Sequence, residues 1–560
     1  MKRCPECRRD YTDETLNFCL DDGAQLVDGP GDGAATVVLP GSSSASESPT
    51  KSLEQKDSDP GYGRPAESVG AFRISSWRLP VLVICLISIA GFFFYRFYPA
   101  PDRTSPIDSI AVLPFQNRNT DADTEYLSSG LAESLIYRLS QLPELRVTPT
   151  STVFRYEGAD IDPVKVGTDL GVSAILSGRI VQHGDRLTIS ADLVDVRNNR
   201  VVWGEQYDRK ISDLLSIQRE IAREIVDRLK LKVAGDDRAI AKTYTQSNEA
   251  YQLYLKGRFY WNKRNGEAIK KAIQYFDQSI TADPGFALAY AGLADAYVVH
   301  ANRLRPLDAM PKAKVAAMRA LELDDNLAEA HTSLARVLQV FEWNWRGAEK
   351  EFKRALELNP RYPVVHQWYG GYLERTGRVA EGISERQLAL ELDPLSTITN
   401  FELGQGYYFA RDYDRAIKQY QVTLELDPTF PAALQFLPIA FAQKGDFNQA
   451  IVAAEAITED AGLRVSGSSG YVYAVAGRTS EARATVDKLI KVRKQEYISA
   501  VNIALIYAGL GERDAAFLWL EKGYEERAFQ MQYLNVEPRW DPLRSDPRFI
   551  DLVNRVGFPE

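Results

Sequence analysis

Residues 393–428 read DPLSTITNFELGQGYYFARDYDRAIKQYQVTLELDP, opening and closing on the same Asp-Pro pair 34 residues apart. Proline cannot continue the helix it follows, and the preceding Asp turns or caps the chain, so each pair ends one helical hairpin and begins the next. Asn359-Pro360 precedes the stretch at the same interval, and Asp283-Pro284 and Asp324-Asp325 extend the series, with an insertion around Arg303 to Pro311. A fixed period of this length is the mark of a stacked repeat.

Within each unit, small residues stand where helices cross closely and large ones fill the space beside them. Ala416, Tyr420 and Thr423 precede Pro428; Ala348, Phe352 and Ala355 precede Pro360; Ala272, Phe276 and Ser279 precede Pro284. Beyond Pro428 the markers weaken, yet Gly445 to Ala450, Gly477 to Ala482 and Gly511 to Ala516 keep one spacing. On Leu403-Gly404, Tyr407, Ala416, Tyr420 and Thr423 the chain resembles tetratricopeptide-repeat proteins. That resemblance implies about eight units over 246–530, with 531–560 as a closing segment over the last hydrophobic face. It also implies a concave groove lined by the first helix of each unit, open to a protein or peptide partner.

Upstream, 107–235 has mixed patterning. SIAVLPF (109–115) is a short apolar strand, and 125–142 has helical spacing through Leu127, Leu131, Leu135 and Leu139. Residues 145–148 are strand-like and 163–170 suggest a helix. Three strands then follow at 174–182, 186–195 and 200–207, joined by His183-Gly184-Asp185 and Asn198-Asn199, before a helix at 211–233. These residues predict an α+β domain with a three-stranded antiparallel half. SIAVLPFQNRN, YLSSGLAESLIYRLSQLPELRV and ADLVDVRNNRVVWGEQYDR resemble the amino-terminal domain of TolB, which implies a fold and a habit of partnering envelope or regulatory components.

LPVLVICLISIAGFFFY (79–95) carries no charge, and with Trp77, Tyr95 and Tyr98 at its edges it predicts a transmembrane helix over 77–98, in contact with lipid. Arg64, Arg73 and Arg78 before it slightly outnumber Arg96 and Arg103 after it, which places the N-terminus in the cytoplasm and the C-terminal domains in the periplasm across a bacterial inner membrane. Residues 28–72, rich in Gly, Ser and Pro, read as a disordered linker.

Residues 1–27 form a zinc-ribbon-like head. Cys4 and Cys7, then Cys19 and Asp22, have the spacing of two metal knuckles; three thiolates and one carboxylate suit a closed, structural zinc site. Arg8 stands where such knuckles usually carry glycine.

The remaining features exclude more than they assign. With 67 basic and 76 acidic residues the net charge is -9, so no nucleic-acid partner is expected. Gly29, Gly31 and Gly33 lie in the linker and form no phosphate loop, while Gly467-Ser468-Ser469-Gly470 fails the spacing of a nucleophile elbow at Tyr471. His183, His300, His331 and His366 are dispersed and suit packing better than ligation. No convergent nucleophile, base or cofactor loop points to an enzyme.

The fold class expected is therefore multidomain and mainly α, a tetratricopeptide solenoid with a small α+β domain, one transmembrane helix and a short zinc ribbon. The function expected is a membrane-anchored protein-interaction scaffold. The alternative is a transmembrane signalling or transcription-regulatory component that relays partner binding to the cytosolic head.

Overall fold

The computed structural model describes residues 2–3, 10–11, 27–28, 107–118, 124–142, 144–157, 162–229, 244–263, 266–300, 305–457 and 467–559. The chain divides into two units, Met1–Asp102 and Arg103–Glu560. In the first, the two-residue strands β1 (Lys2–Arg3), β2 (Asp10–Tyr11) and β3 (Val27–Asp28) pair antiparallel in the order β2-β1-β3. Cys4, Cys7, Cys19 and Asp22, the linker beyond Asp28 and the 77–98 segment lie outside the described residues. Among the described residues no helix is long and apolar enough to cross a membrane, and no group of three or more His, Cys, Asp or Glu is placed to hold a metal ion.

The second unit begins with the α+β domain. Strand β4 (Ser109–Val112), buried throughout, lies parallel between β6 (Arg146–Val147) and β7 (Ala174–His183). Short β5 (Gln116–Asn117) also pairs with β7. Parallel neighbours need a crossover, supplied by α1 (Glu125–Ser140), whose Leu127, Leu131, Leu135 and Leu139 are all fully buried. The predicted antiparallel half follows: β7 pairs with β8 (Arg186–Asp195), and β8 with β9 (Arg200–Lys210). His183 faces Arg186 across the two-residue turn Gly184-Asp185, where Gly184 takes φ +61°. Helix α2 (Thr150–Val153) interrupts a stretch left unassigned from sequence, and α3 (Pro163–Asp169) is capped by the Asp162 carboxylate. The last helix, α4 (Leu214–Leu229), begins later than predicted, because Ile211–Asp213 form a 3-10 turn.

Eight antiparallel helix pairs follow among the described residues. They are α5 (Asn248–Asn262) with α6 (Gly266–Ala282), α7 (Ala287–His300) with α8 (Pro306–Leu323), α9 (Ala328–Val337) with α10 (Trp345–Leu358), and α11 (Pro363–Arg375) with α12 (Val379–Leu392). Next come α13 (Thr397–Phe409) with α14 (Tyr413–Leu426), α15 (Pro431–Lys444) with α16 (Phe447–Glu455), α17 (Gly467–Val475) with α18 (Thr479–Arg493), and α19 (Ala500–Gly509) with α20 (Arg513–Glu525). The Gly-then-Ala spacing has a backbone cause: Gly377, Gly445, Gly477 and Gly511 all sit at positive φ between the paired helices. Arg411 occupies the same place at φ +62°.

Phe276, Phe352 and Tyr420, the large residues of the repeat pattern, are fully buried. At the same register the fourth unit carries Arg386, also fully buried and paired with Glu374 on α11 at 2.5 Å and Glu402 on α13 at 2.9 Å. Space for this guanidinium comes from a close helix crossing, where a Cβ at Gly370 would stand 2.7 Å from the Gly382 carbonyl. Burial pushes the Glu374 carboxyl up against the downward pull of Arg386.

Candidate functional site

The groove expected along the first helices exists, but the chain's own C-terminal segment fills it. Instead of only capping the last repeat, residues 528–545 run across the first helices of successive units as two 3-10 turns, Phe529–Tyr533 and Pro538–Leu543. Gln532 accepts from Gln339 just past α9 at 3.0 Å. The Tyr533 hydroxyl takes a hydrogen bond from Arg375 of α11 at 2.8 Å. Tyr408 of α13 donates to Glu537 at 2.6 Å, Arg411 pairs with Asp541, and Arg539 lies over the rings of Phe436 on α15 and Tyr471 on α17. Trp540 is 1% exposed. The last repeat is covered both by this segment, through Gln530 to Ser499 and Asn502, and by the final helix, α21 (Pro547–Val556), through Arg548 to Asp514 and Arg555 to Glu521.

The segment's polar groups are fully partnered where they are buried. Burial pushes the Glu537 carboxyl up, but the Arg539 guanidinium, bound to both its oxygens at 2.9 Å, holds it below its ordinary value. The array has also turned far enough for its end to meet its third unit: Arg527 lies over the Trp343 ring at 3.8 Å, and Tyr524 packs on Trp343.

A second surface of the array is taken by the α+β domain. Its core is continuous with that of the first repeats, running from Ile110 and Leu131 through Tyr251 and Leu255 to Phe286 and Ala330. Gly130 on α1 makes this possible, since a Cβ there would lie 3.1 Å from Cβ of Leu255 on α5. Arg258 on α5 pairs with Glu133 on α1 at 2.6 Å, and Ser134 bonds the Tyr251 hydroxyl at 2.5 Å. Further along, Asp393, one of the periodic turn residues, accepts hydrogen bonds from the hydroxyls of Ser151 and Thr152. Its counterparts Asp283, Asn359 and Asp427 accept from backbone amides two residues on, at 2.9, 3.2 and 2.9 Å, and Asp283 also takes the Thr245 hydroxyl.

Between these contacts lies a cavity of about 840 Å³. Its walls come from α1, α2, α4, α5, α7, α9, α11 and α13 and from the turns that follow the second helices. Tyr137, Tyr244, Tyr254 and Tyr362 supply aromatic surface, and Glu133, Arg258, Asp295 and Glu329 supply charge. Asp295 lies 3.7 Å from Arg258 and takes the Ser333 hydroxyl. Burial, together with the Asp295 charge, pushes the Glu329 carboxyl up to about 7.

His331 and His366 do hold equivalent places, and their role is structural. Each bonds a glutamate of its own hairpin, Glu351 at 2.6 Å and Glu385 at 2.7 Å, and the carbonyl of the preceding turn. Asn400 repeats the arrangement with Gln419 and the Pro394 carbonyl. Ser468, in the rejected elbow, is buried in α17.

Sequence reading missed Ser151, Thr152 and Glu329 because their roles arise only where two domains meet. The one available signal was the periodic Asp393 itself, a turn residue whose neighbours Pro394 and Leu395 carry no residue marking it as different. Likewise, the polar, Pro-broken texture of 537–546 marks it as nonhelical without saying which surface it covers.

Residues 106–224 match the family model described as HilA/YgeH-like transcriptional regulator, second domain, and residues 401–463 match that of the tetratricopeptide repeat. The domain resembling TolB in sequence thus meets a model built on transcriptional regulators. A putative adenylate cyclase 3 of Rhizobium meliloti is 30% identical over 243 residues, 42% of this chain and 41% of that protein. The transcriptional regulator HilA of Salmonella typhimurium is 23% identical over 324 residues, 57% of each chain. This chain therefore spans about half the length of the curated relatives it matches. Among solved structures, PilF of Pseudomonas aeruginosa is 22% identical, with a TM-score of 0.30, covering 38% of this chain and 92% of that one. The C-terminal array is a mainly α, tetratricopeptide-type solenoid joined to a small mixed-sheet domain.

Proposed function

We propose that this chain is a membrane-anchored protein-interaction scaffold, whose repeat array recruits protein or peptide partners on the face lined by its first helices. The observation that carries the reading is the seating of 528–545 on that face: an aromatic and charged polypeptide, wound as two short 3-10 turns, is held there by side chains from α11, α13, α15 and α17. A surface that holds one such segment is suited to exchange it for another. In this reading the 77–98 segment is the anchor, with lipid around it, and the head holds a structural zinc on Cys4, Cys7, Cys19 and Asp22 on the cytoplasmic side. The test is affinity capture with the full chain in detergent, followed by competition with a synthetic peptide of residues 528–546. Release of captured protein by the peptide supports the scaffold; capture that the peptide leaves unchanged rejects this face as the partner site.

A second reading is favoured by the match of residues 106–224 to a transcriptional-regulator domain. Here occupancy of the array or the α+β domain is relayed across the membrane to the head. Crosslinking from each face separates the two, since a head that captures only itself argues against relay.

A further inference from the structure

The cavity between the α+β domain and the repeats has the size of a small-ligand site, which typically spans about 300–1,000 Å³. Its composition is more specific than its size. Five carboxylates line it, Glu133, Asp295, Glu329, Asp393 and Asp427, and Arg258 answers the first two, at 2.6 Å and 3.7 Å. Arg138, the other buried guanidinium on the wall, lies over the Tyr244 ring at 5.7 Å. Glu329 has no ion-pair partner among the described residues, and its carboxyl bonds only its own backbone amide. The charges acting on it are Asp295 and Asp324, of its own sign, and the committed Arg258.

Around this carboxylate stand aromatic rings. Tyr137 and Tyr244 meet edge to face at 6.0 Å, and Tyr254 packs on Phe286 at 5.2 Å. The Tyr254 hydroxyl is buried and kept protonated by that burial. A ring wall with one uncompensated carboxylate is the chemistry that recognises an organic ammonium, through the ring quadrupoles and a charge-assisted hydrogen bond. An anionic ligand would meet an excess of like charge, five carboxylates against Arg138, Arg258, Arg361 and Lys263.

We propose that this cavity binds a small organic cation, with its ammonium on the Glu329 carboxylate and its apolar body against Tyr137, Tyr244 and Tyr254. Because the walls belong to both the α+β domain and the repeats, such a ligand would bridge them. The inference is independent of the scaffold reading, and its failure would leave that reading intact.

The experiment is isothermal titration of the full chain in detergent at pH 8 with 2-phenylethylamine, 2-phenylethanol and phenylacetate, which share one body and differ in charge. The expected result is saturable one-site binding of the amine, at least about tenfold weaker binding of the alcohol, and no saturation with the anion. Glu329→Gln keeps the side-chain shape and removes a half-buried charge, so the fold is not at risk; it should weaken the amine at least about tenfold while leaving the alcohol unchanged. Equal affinity for amine and anion, an unaltered amine affinity in the variant, or no saturation by the amine would each overturn the proposal.

Discussion

The Thr152 hydroxyl donates to a carboxylate oxygen of Asp393 at 2.7 Å, joining residues 241 apart in the chain. Asp393 belongs to a periodic series whose members Asp283, Asn359 and Asp427 each accept a turn amide, and here a repeat residue holds the α+β domain. Removing both partners from a buried hydrogen bond costs less than orphaning one. A double-mutant cycle of Thr152→Ala and Asp393→Ala should therefore give a coupling energy of about 1–2 kcal/mol by urea denaturation. Asp427→Ala, which loses only a local turn bond, should cost about 0.5–1 kcal/mol and show no coupling to Thr152. A coupling near zero for the first pair would mean that the domain does not dock through this turn.

This bond also marks where sequence reading stops. The 34-residue period, the small and large residues of each crossing, and the β-meander turn at Gly184 are local signals, and all fold as the pattern predicts. The meeting of Asp393 with Ser151 and Thr152, the seat of Tyr533 on Arg375, and the burial of Glu329 depend on surfaces brought together by superhelical turn, which no local window encodes. Arg386 shows the same limit: its register with Phe352 and Tyr420 places a charged side chain inside, which pairing with Glu374 and Glu402 makes tolerable. The expected metal residues Cys4, Cys7, Cys19 and Asp22 rest on spacing alone.

Arg386→Met should destabilise the array by about 3–5 kcal/mol, because Glu374 would remain buried without its cation. Adding Glu374→Leu should recover most of that loss, since a well-packed apolar pair replaces an ion pair at little cost. Thermal unfolding monitored by far-ultraviolet circular dichroism checks both; equal stability of the single and double variants would contradict the buried pairing.

Glu329 makes stability depend on pH in a defined direction. Its folded value of about 7 lies above the ordinary 4.5, so the folded chain binds the proton more tightly than the unfolded chain. The group therefore costs nothing below about pH 4.5, and its cost grows as pH rises through about 7, reaching on the order of 3 kcal/mol. The groups facing it are Asp295, Asp324, Arg258, Tyr254, Tyr137 and Tyr244. Glu329→Gln should thus stabilise the protein at pH 8 and leave it nearly unchanged at pH 4.5, as read by urea denaturation at both values.

The head should carry one zinc per chain on Cys4, Cys7, Cys19 and Asp22, measured by elemental analysis of the purified full chain. Cys19→Ala should remove it, whereas retention of full zinc content by that variant would dismiss the site.

In the proposed reading, the face lined by the first helices is a polypeptide-binding surface, now filled from within the chain. A protease site placed between Arg527 and Ala528 of the full protein, cleaved after folding, would free the segment while its seat stays intact. The account predicts that a fluorescent peptide of residues 528–560 then exchanges in saturably, and that Arg375→Ala and Tyr408→Phe, which each remove a contact to it, weaken its retention. A cleaved segment that departs and cannot rebind, or one whose retention ignores both substitutions, would contradict it.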